Sequence, residues 1–118
     1  MERRKYSRIQ EKLAAKISNQ NFDVVTETKN ISANGAYCLI DVPIEPMSKL
    51  QVTLLIPAKT KNKKNRSIKK VCLNAVAVRT DKVKDNGKHH YYLAIYFNEI
   101  SDRDRKVLLS YINSFPKS

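Results

Sequence analysis

The middle of the chain consists of short apolar runs in which residues alternate between two sets and which end at turn-forming residues. Residues 71–79 show the alternation over the longest distance, with Val71 and Leu73 in one set and Cys72 and Asn74 in the other. A period of two residues is typical of β-strands. Similar runs occupy residues 24–28, 35–40, 50–56 and 91–97.

Three of these runs carry further predictions. Both sets of residues in 71–79 include apolar side chains, so we expect both faces of that strand to be covered. The run at 50–56 is expected to stop at Pro57, because proline has no N–H to donate to a strand ladder. The sequence Asp-Asn-Gly at residues 85–87 predicts a tight hairpin turn, which makes the strands at 71–79 and 91–97 antiparallel neighbours.

A helical period replaces the alternation near the C terminus. Apolar residues recur there at the spacing of one helix face, namely Val107, Leu108, Tyr111, Ile112 and Phe115. Ser101 is a suitable N-cap, and Asp102 and Asp104 place acidic side chains in the first turn, where the helix dipole favours them. We predict a helix from about residue 102 to 114, within a C-terminal segment 101–115.

The segment from residue 9 to 18 fits either element, because Ile9, Leu13 and Ile17 have helical spacing while Leu13, Ala15 and Ile17 alternate. The chain thus holds five or six short strands and one terminal helix in 118 residues, the size of one domain. Too few helices separate the strands for a parallel sheet. We therefore predict a mainly β fold, an antiparallel β-barrel or strongly curved sheet with the helix over one opening or face.

The positive charge is concentrated in two segments. The chain has 23 basic and 11 acidic residues and a net charge of +12. Residues 57–70 carry seven basic and no acidic side chains, and residues 1–16 carry six basic and two acidic side chains. The remainder is nearly neutral, so an N-terminal arm and one basic loop are expected to meet an anionic partner: nucleic acid, a nucleotide or a membrane surface.

The sequence offers little for catalysis. His89 and His90 are adjacent, so in a strand they would point to opposite faces and could not hold one metal ion together. Ser32 lacks the G-x-S-x-G surroundings of a nucleophile elbow. We therefore predict no catalytic site, no metal site and no enzyme activity.

The environment of the two cysteines and the short length of the apolar runs predict where in the cell the protein is located. Cys38 and Cys72 both lie in apolar runs, which predicts buried, reduced thiols. No run approaches the roughly 20 apolar residues that a membrane span needs, and the N-terminal residues lead into no apolar signal core. A cytoplasmic location is expected.

Two groups of residues have the chemistry to bind a nucleotide. Arg4 and Arg8 carry guanidinium groups, whose planar fork suits phosphates and the acceptor edge of guanine. Asn30 and Ser32 lie two residues apart, so in an extended segment they face the same way, and Gly35 lets the backbone turn or approach a ligand. An amide beside a hydroxyl can match the donors and acceptors of a purine edge.

In this order the two groups resemble the signature of the PilZ domain family, bacterial receptors for cyclic di-GMP. Arg4 and Arg8 form an R-x-x-x-R pattern, and Asn30, Ser32 and Gly35 form [DN]-x-S-x-x-G at the opening of a strand. The resemblance covers nearly the whole chain. It implies a six-stranded antiparallel barrel with one C-terminal helix, in a single domain 1–118 made of an arm (1–10), a barrel (11–100) with the basic loop 57–70, and the helix segment (101–115).

The resemblance also implies how the ligand is held. Cyclic di-GMP would bind outside the barrel where the arm folds back, with Arg4 and Arg8 on phosphates and guanine and with Asn30 and Ser32 orienting a guanine. Arg3, just before the motif, could contact a second, intercalated nucleotide. Because cations in the arm repel one another, we expect the ligand to order the arm and to present a new surface to a protein partner.

Two other functions fit the sequence. A small basic barrel could bind nucleic acid through residues 59–70, although that segment has no aromatic side chain to stack on a base. A PilZ-like adaptor that binds no nucleotide would be expected to lack the arginines or the polar motif, and both are present here.

Overall fold

Seven strands and one helix make up the part of the chain that the computed structural model describes, residues 8–59, 66–83 and 91–115. The strands are β1 (Arg8–Ile9), β2 (Ala14–Ser18), β3 (Asp23–Ser32), β4 (Gly35–Ile40), β5 (Lys49–Lys59), β6 (Arg66–Lys82) and β7 (Tyr91–Ile100). The helix α1 spans Asp102–Asn113. The predicted hairpin turn at 85–87 lies outside the described residues.

Six of the strands close into an antiparallel barrel. The order around the barrel is β3, β2, β5, β6, β7 and β4, and β4 pairs with β3 to complete the circle. The short strand β1 is an extra strand that pairs with the C-terminal end of β3, opposite Ser32 and Ile31. The predicted mainly β class, the six-stranded barrel and the C-terminal helix are confirmed.

Alternation along the strands fills the barrel with aliphatic side chains. On β6 the inward residues Val71, Leu73, Ala75 and Ala77 are at most 5% exposed. The outward set on the same strand is much more open, since Val78 is 55% exposed. The prediction that both faces of this strand are covered is therefore wrong, because only the inner face has the core to pack against.

The two thiols have opposite environments. Cys38 points into the core, and burial raises the pKa of its thiol to about 12. Cys72 is exposed, so the prediction of two buried cysteines is wrong for this residue. The reason is its position: Cys72 belongs to the outward set of β6, between the inward residues Val71 and Leu73.

The expected end of a strand at Pro57 is also wrong. Strand β5 continues through Pro57 to Lys59, and Pro57 pairs with Ile68 of β6. The pairing of β5 with β2 ends at Leu54, so beyond that point β5 is an edge strand, where a missing N–H is tolerated. Residues 57–59 and 66–70 of the expected basic loop are consequently paired strand ends.

The ambiguous segment near the N terminus contains strands. β1 pairs with β3, and β2 lies between β3 and β5, in register from Ala15 opposite Leu54. Leu13, Ala15 and Ile17 are all buried. Pairing on both sides therefore selects the alternating interpretation over the helical one.

Helix α1 starts at the predicted cap. The Ser101 hydroxyl accepts a hydrogen bond from the backbone N–H of Asp104 at 3.1 Å. The Asp104 carboxylate accepts one from the backbone N–H of Cys72 at 3.1 Å, which joins the first turn of the helix to β6. Leu108 and Ile112 belong to the same buried cluster as the barrel interior. No helix among the described residues has both the length and the apolarity needed to cross a bilayer.

Candidate functional site

A β-bulge in β3 determines which way the polar motif faces. Before the bulge, Thr26 and Thr28 are on the inner face and are at most 8% exposed. The register against β4 then shifts between Thr28 and Asn30, and Ile31 becomes the buried residue. The extra residue reverses the alternation, so Asn30 turns to the outer surface instead of following Thr28 into the core.

Of the three arginines predicted for the site, Arg8 lies within the described residues, and its side chain contacts the Asn30 amide. An Nη atom of Arg8 donates a hydrogen bond to Oδ1 of Asn30 at 2.5 Å, across 22 positions of sequence. The backbone supports the contact, because Arg8 of β1 is in register with Ser32 of β3. The structure therefore brings Arg8, Asn30 and Ser32 together, while Arg3 and Arg4 lie outside the described residues.

Ser32 and Gly35 shape the turn between β3 and β4. The Ser32 hydroxyl accepts from the backbone N–H of Asn34 at 3.2 Å and donates to the carbonyl oxygen of Gly35 at 3.4 Å. Ser32 is 4% exposed. A β-carbon at Gly35 would overlap the backbone carbonyl oxygen of Ile95 on β7. The close approach expected at Gly35 is thus made to a neighbouring strand.

Next to Asn30 the outer surface holds an open pocket of about 530 Å³. Its walls come from the segment between β1 and β2 and from strands β3, β4, β6 and β7, and they comprise Gln10, Lys12, Lys29, Asn30, Tyr37, Asp81 and Tyr92. Residues far apart in sequence meet here only because the barrel closes between β3 and β4. Apart from Asn30, they belong to neither of the two sequence motifs.

Two tyrosines form the apolar part of the pocket. The rings of Tyr37 and Tyr92 pack edge to face, with centroids 6.1 Å apart and planes at 79°. Lys29 Nζ lies 5.8 Å from the centroid of Tyr92, a distance at which a cation is attracted to a ring face. One signal was present in the sequence: Tyr37 lies two residues after Gly35, so it alternates onto one face of β4.

An arginine and an aspartate complete this cluster. Arg79 lies over the ring of Tyr37, with Cζ 5.7 Å from the centroid, and donates a hydrogen bond to the tyrosine hydroxyl. Its Nε is 2.8 Å from a carboxylate oxygen of Asp81, and both side chains are at least half exposed. Such an exposed pair is worth little to stability.

The pocket has the chemistry to hold an anion that also carries an aromatic ring. Lys12, Lys29, Arg79 and Arg8 are cationic, whereas Asp81 is the one acidic residue among the described residues lining the pocket. The tyrosine rings offer faces and edges for stacking. Within the described ranges, no three His, Cys, Asp or Glu side chains come together to hold a metal ion. His89 and His90 are not among the described residues.

Comparison with protein families and with solved structures identifies relatives of this fold. The sequence matches the model of the PilZ domain over residues 2–114. A structure of the Bacillus subtilis inhibitor of motility, MotI/DgrA, is 20% identical with a TM-score of 0.77, over 97% of this chain and 52% of that one. A complex of Klebsiella pneumoniae MrkH with c-di-GMP is 11% identical with a TM-score of 0.68, over 97% of this chain and 52% of that one.

A third similar structure is comparable in length to this chain. The PilZ domain of YcgR from Escherichia coli, solved with c-di-GMP, is 15% identical with a TM-score of 0.60, over 96% of this chain and 94% of that one. Against the MotI/DgrA and MrkH structures, by contrast, this chain spans about half of the other's length. No curated protein matches the sequence.

Proposed function

The chain belongs to the PilZ domain family, whose model it matches over residues 2–114, and from this membership we propose that it is a receptor for cyclic di-GMP. Two structures similar to it, of MrkH and of the YcgR PilZ domain, contain c-di-GMP. The observation that carries the proposal is the contact between Arg8 and Asn30, one residue from each motif, beside a cationic pocket with two tyrosines.

Each motif residue has a role in the proposal. Arg8 and Arg4 contact phosphates and a guanine edge, because guanidinium groups give paired, charge-assisted hydrogen bonds to both. Asn30 orients a guanine through its amide. Ser32 acts by holding the turn that carries the motif, as its two hydrogen bonds to the Asn34 and Gly35 backbone indicate. Arg3 contacts a second nucleotide when the ligand binds as an intercalated dimer.

The proposal extends to signalling. Binding of a dianion draws residues 1–7, with three further cations and one acidic residue, towards the outer surface near Asn30. The position of the arm then changes with ligand concentration, and the surface formed by arm and barrel is offered to a downstream protein. The chain acts as a receptor and performs no chemistry on its ligand.

Isothermal titration with cyclic di-GMP tests the receptor proposal, with GTP and cyclic AMP as control ligands. We expect saturable binding to the wild type and a loss of about ten- to a hundredfold in affinity for Arg8→Ala, the effect of removing a hydrogen bond to a charged group. The matched control is Arg103→Ala, which removes an exposed arginine from α1 and should leave the affinity unchanged.

Two results would contradict the proposal in different ways. Absence of binding to the wild type would show that the chain is not a receptor for this ligand. Binding that survives in both Arg8→Ala and an Arg4→Ala/Arg8→Ala double variant would show that the ligand binds elsewhere. The stoichiometry of the wild-type titration distinguishes a bound monomer from an intercalated dimer.

A further inference from the structure

The paired ends of β5 and β6 extend beyond the barrel as a two-stranded ribbon, which we define as residues 55–59 and 66–70. The pairing of these strands continues from Leu55 opposite Lys70 to Lys59 opposite Arg66. Strand β2 leaves β5 at Leu54, and β7 leaves β6 at Leu73. Among the described strands, none pairs with the ribbon on either side.

The two faces of the ribbon differ in their surroundings. Ile56 is 1% exposed and belongs to the core cluster, so it anchors the inner face. The opposite face carries Leu55, Pro57 and Ile68, since Pro57 is in register with Ile68 and side chains on a strand alternate. Leu55 is 39% exposed, Ile68 is 66% exposed, and Pro57 is exposed as well. The ribbon thus presents a row of aliphatic side chains to solvent.

Positive charge lies on both faces of the ribbon. Lys70 is in register with Leu55 on the apolar face, whereas Lys69 is in register with Ile56 on the opposite face, and both lysines are exposed. Lys59 and Arg66 form the last described pair of the ribbon. In sequence, residues 57–70 contain no carboxylate that could neutralise these cations.

Aliphatic side chains beside exposed lysines fit a surface that has anionic groups at the top and an apolar layer below. We propose that the ribbon is a contact site for an anionic lipid bilayer, with lysines at the headgroups and Leu55 and Ile68 at the acyl boundary. Clusters of four or more Lys and Arg side chains suit anionic headgroups, and each adds attraction near the surface. This contact is separate from the nucleotide pocket and requires no ligand.

Other anionic partners fit this face less well. Nucleic acid would satisfy the lysines, but it gives exposed aliphatic side chains nothing to bury against, and residues 55–70 contain no aromatic side chain to stack on a base. A specific acidic protein is recognised through directional hydrogen bonds as well as charge. The side chains of this row, Leu55, Pro57 and Ile68, have no hydrogen-bonding group. They can therefore bind only an apolar surface.

Cosedimentation with vesicles tests the charge component of the proposal. The full chain is expected to bind phosphatidylcholine vesicles that contain phosphatidylglycerol and not vesicles of phosphatidylcholine alone. The Lys69→Gln/Lys70→Gln variant should bind about tenfold to thirtyfold more weakly, as expected for two lysines near an anionic surface. The control variant Lys49→Gln/Lys106→Gln removes the same charge from exposed positions outside the ribbon and should bind nearly as well as the wild type.

Fluorescence tests the apolar component, because the chain contains no tryptophan. With Ile68→Trp, the emission is expected to shift to the blue when phosphatidylglycerol vesicles are added, since the ring enters an apolar environment. Val78→Trp is the control: Val78 is 55% exposed and lies ten residues from Ile68 along β6, outside the ribbon, so its emission should not move. Circular dichroism of each variant verifies that the barrel is folded.

Three outcomes would overturn the proposal. Failure of the wild type to bind phosphatidylglycerol vesicles is the first. Equal weakening by the two double-lysine variants is the second, because it would mean that only net charge matters. The third is an unshifted Ile68→Trp emission together with equally tight binding of duplex DNA or polyglutamate, which would make the ribbon a general polyanion site.

Discussion

At the scale of single residues, the packing around Gly35 gives a reason for glycine that is independent of any ligand. Its missing β-carbon leaves room for the backbone carbonyl of Ile95, so β4 can pair closely with β7. We expect Gly35→Ala to lower the free energy of unfolding by roughly 1 to 3 kcal/mol, because the overlapping atom is backbone and cannot swing aside. Urea denaturation measures this change.

Asn30→Ala provides the contrast to Gly35→Ala. Asn30 is on the outer surface and bonds to an exposed arginine, so its removal should change the free energy of unfolding by about 0.5 kcal/mol or less. The affinity of the Asn30→Ala variant for cyclic di-GMP should nevertheless fall.

If Gly35→Ala were as stable as the wild type, the close packing of β4 on β7 would not be the reason for a glycine at this position.

At the scale of elements, the N-terminus of α1 connects the helix to the barrel. Ser101 caps the helix through the N–H of Asp104, and the Asp104 carboxylate in turn bonds to the backbone of β6. We expect Ser101→Ala to lower the free energy of unfolding by about 1 kcal/mol. Thermal or urea unfolding measures the loss.

Ser110→Ala is the matched control for the cap. Ser110 is exposed on the same helix, and alanine has the higher helix propensity, so this variant should be neutral or slightly more stable. Equal destabilisation by the two substitutions would show that the Ser101 hydroxyl has no special role as a cap.

Elements defined by a local period could be predicted from the sequence, and features that depend on pairing could not. The helix and its cap follow from spacing and from Ser101. The strand at Ala14–Ser18 was ambiguous because its neighbours β3 and β5, on either side of it, decide the matter. The expected strand end at Pro57 is wrong because β5 tolerates a proline beyond the last residue that pairs with β2, and no local pattern shows where that pairing ends.

The candidate site also combines residues that local patterns predict with residues that only strand pairing brings together. Its motif residues were visible as patterns, and the contact between Arg8 and Asn30 brings one member of each pattern together. The bulge that turns Asn30 outward has no sequence signature, because it is defined against β4. Tyr92, Arg79 and Asp81 join the site through closure of the barrel, which no local pattern encodes.

At the scale of the whole molecule, the receptor proposal predicts that ligand changes the accessibility of the N-terminal arm. Saturating cyclic di-GMP should slow trypsin cleavage after Arg3, Arg4 and Lys5 by about tenfold, because a bound segment must first detach before it can be cut. Mass spectrometry of the products resolves each cleavage site.

Cleavage after Lys61, Lys63 and Lys64 serves as the internal control for the arm. These residues are distant in sequence from both motifs, so their cleavage should be independent of the ligand. Unchanged cleavage of the arm at saturation would refute ordering of the arm, and equal slowing at both places would indicate general stabilisation of the fold instead.

The two-stranded ribbon also has a consequence for self-association. Strand edges without a neighbour can pair with the same edges of another molecule and start aggregation, and natural proteins block such edges with proline and lysine. The ribbon has Pro57 on β5 and Lys69 and Lys70 on β6, so its positive charge keeps identical chains apart. Neutralising these lysines would therefore weaken the colloidal stability of the protein, and concentrated solutions of such variants would be the first to form β-sheet aggregates.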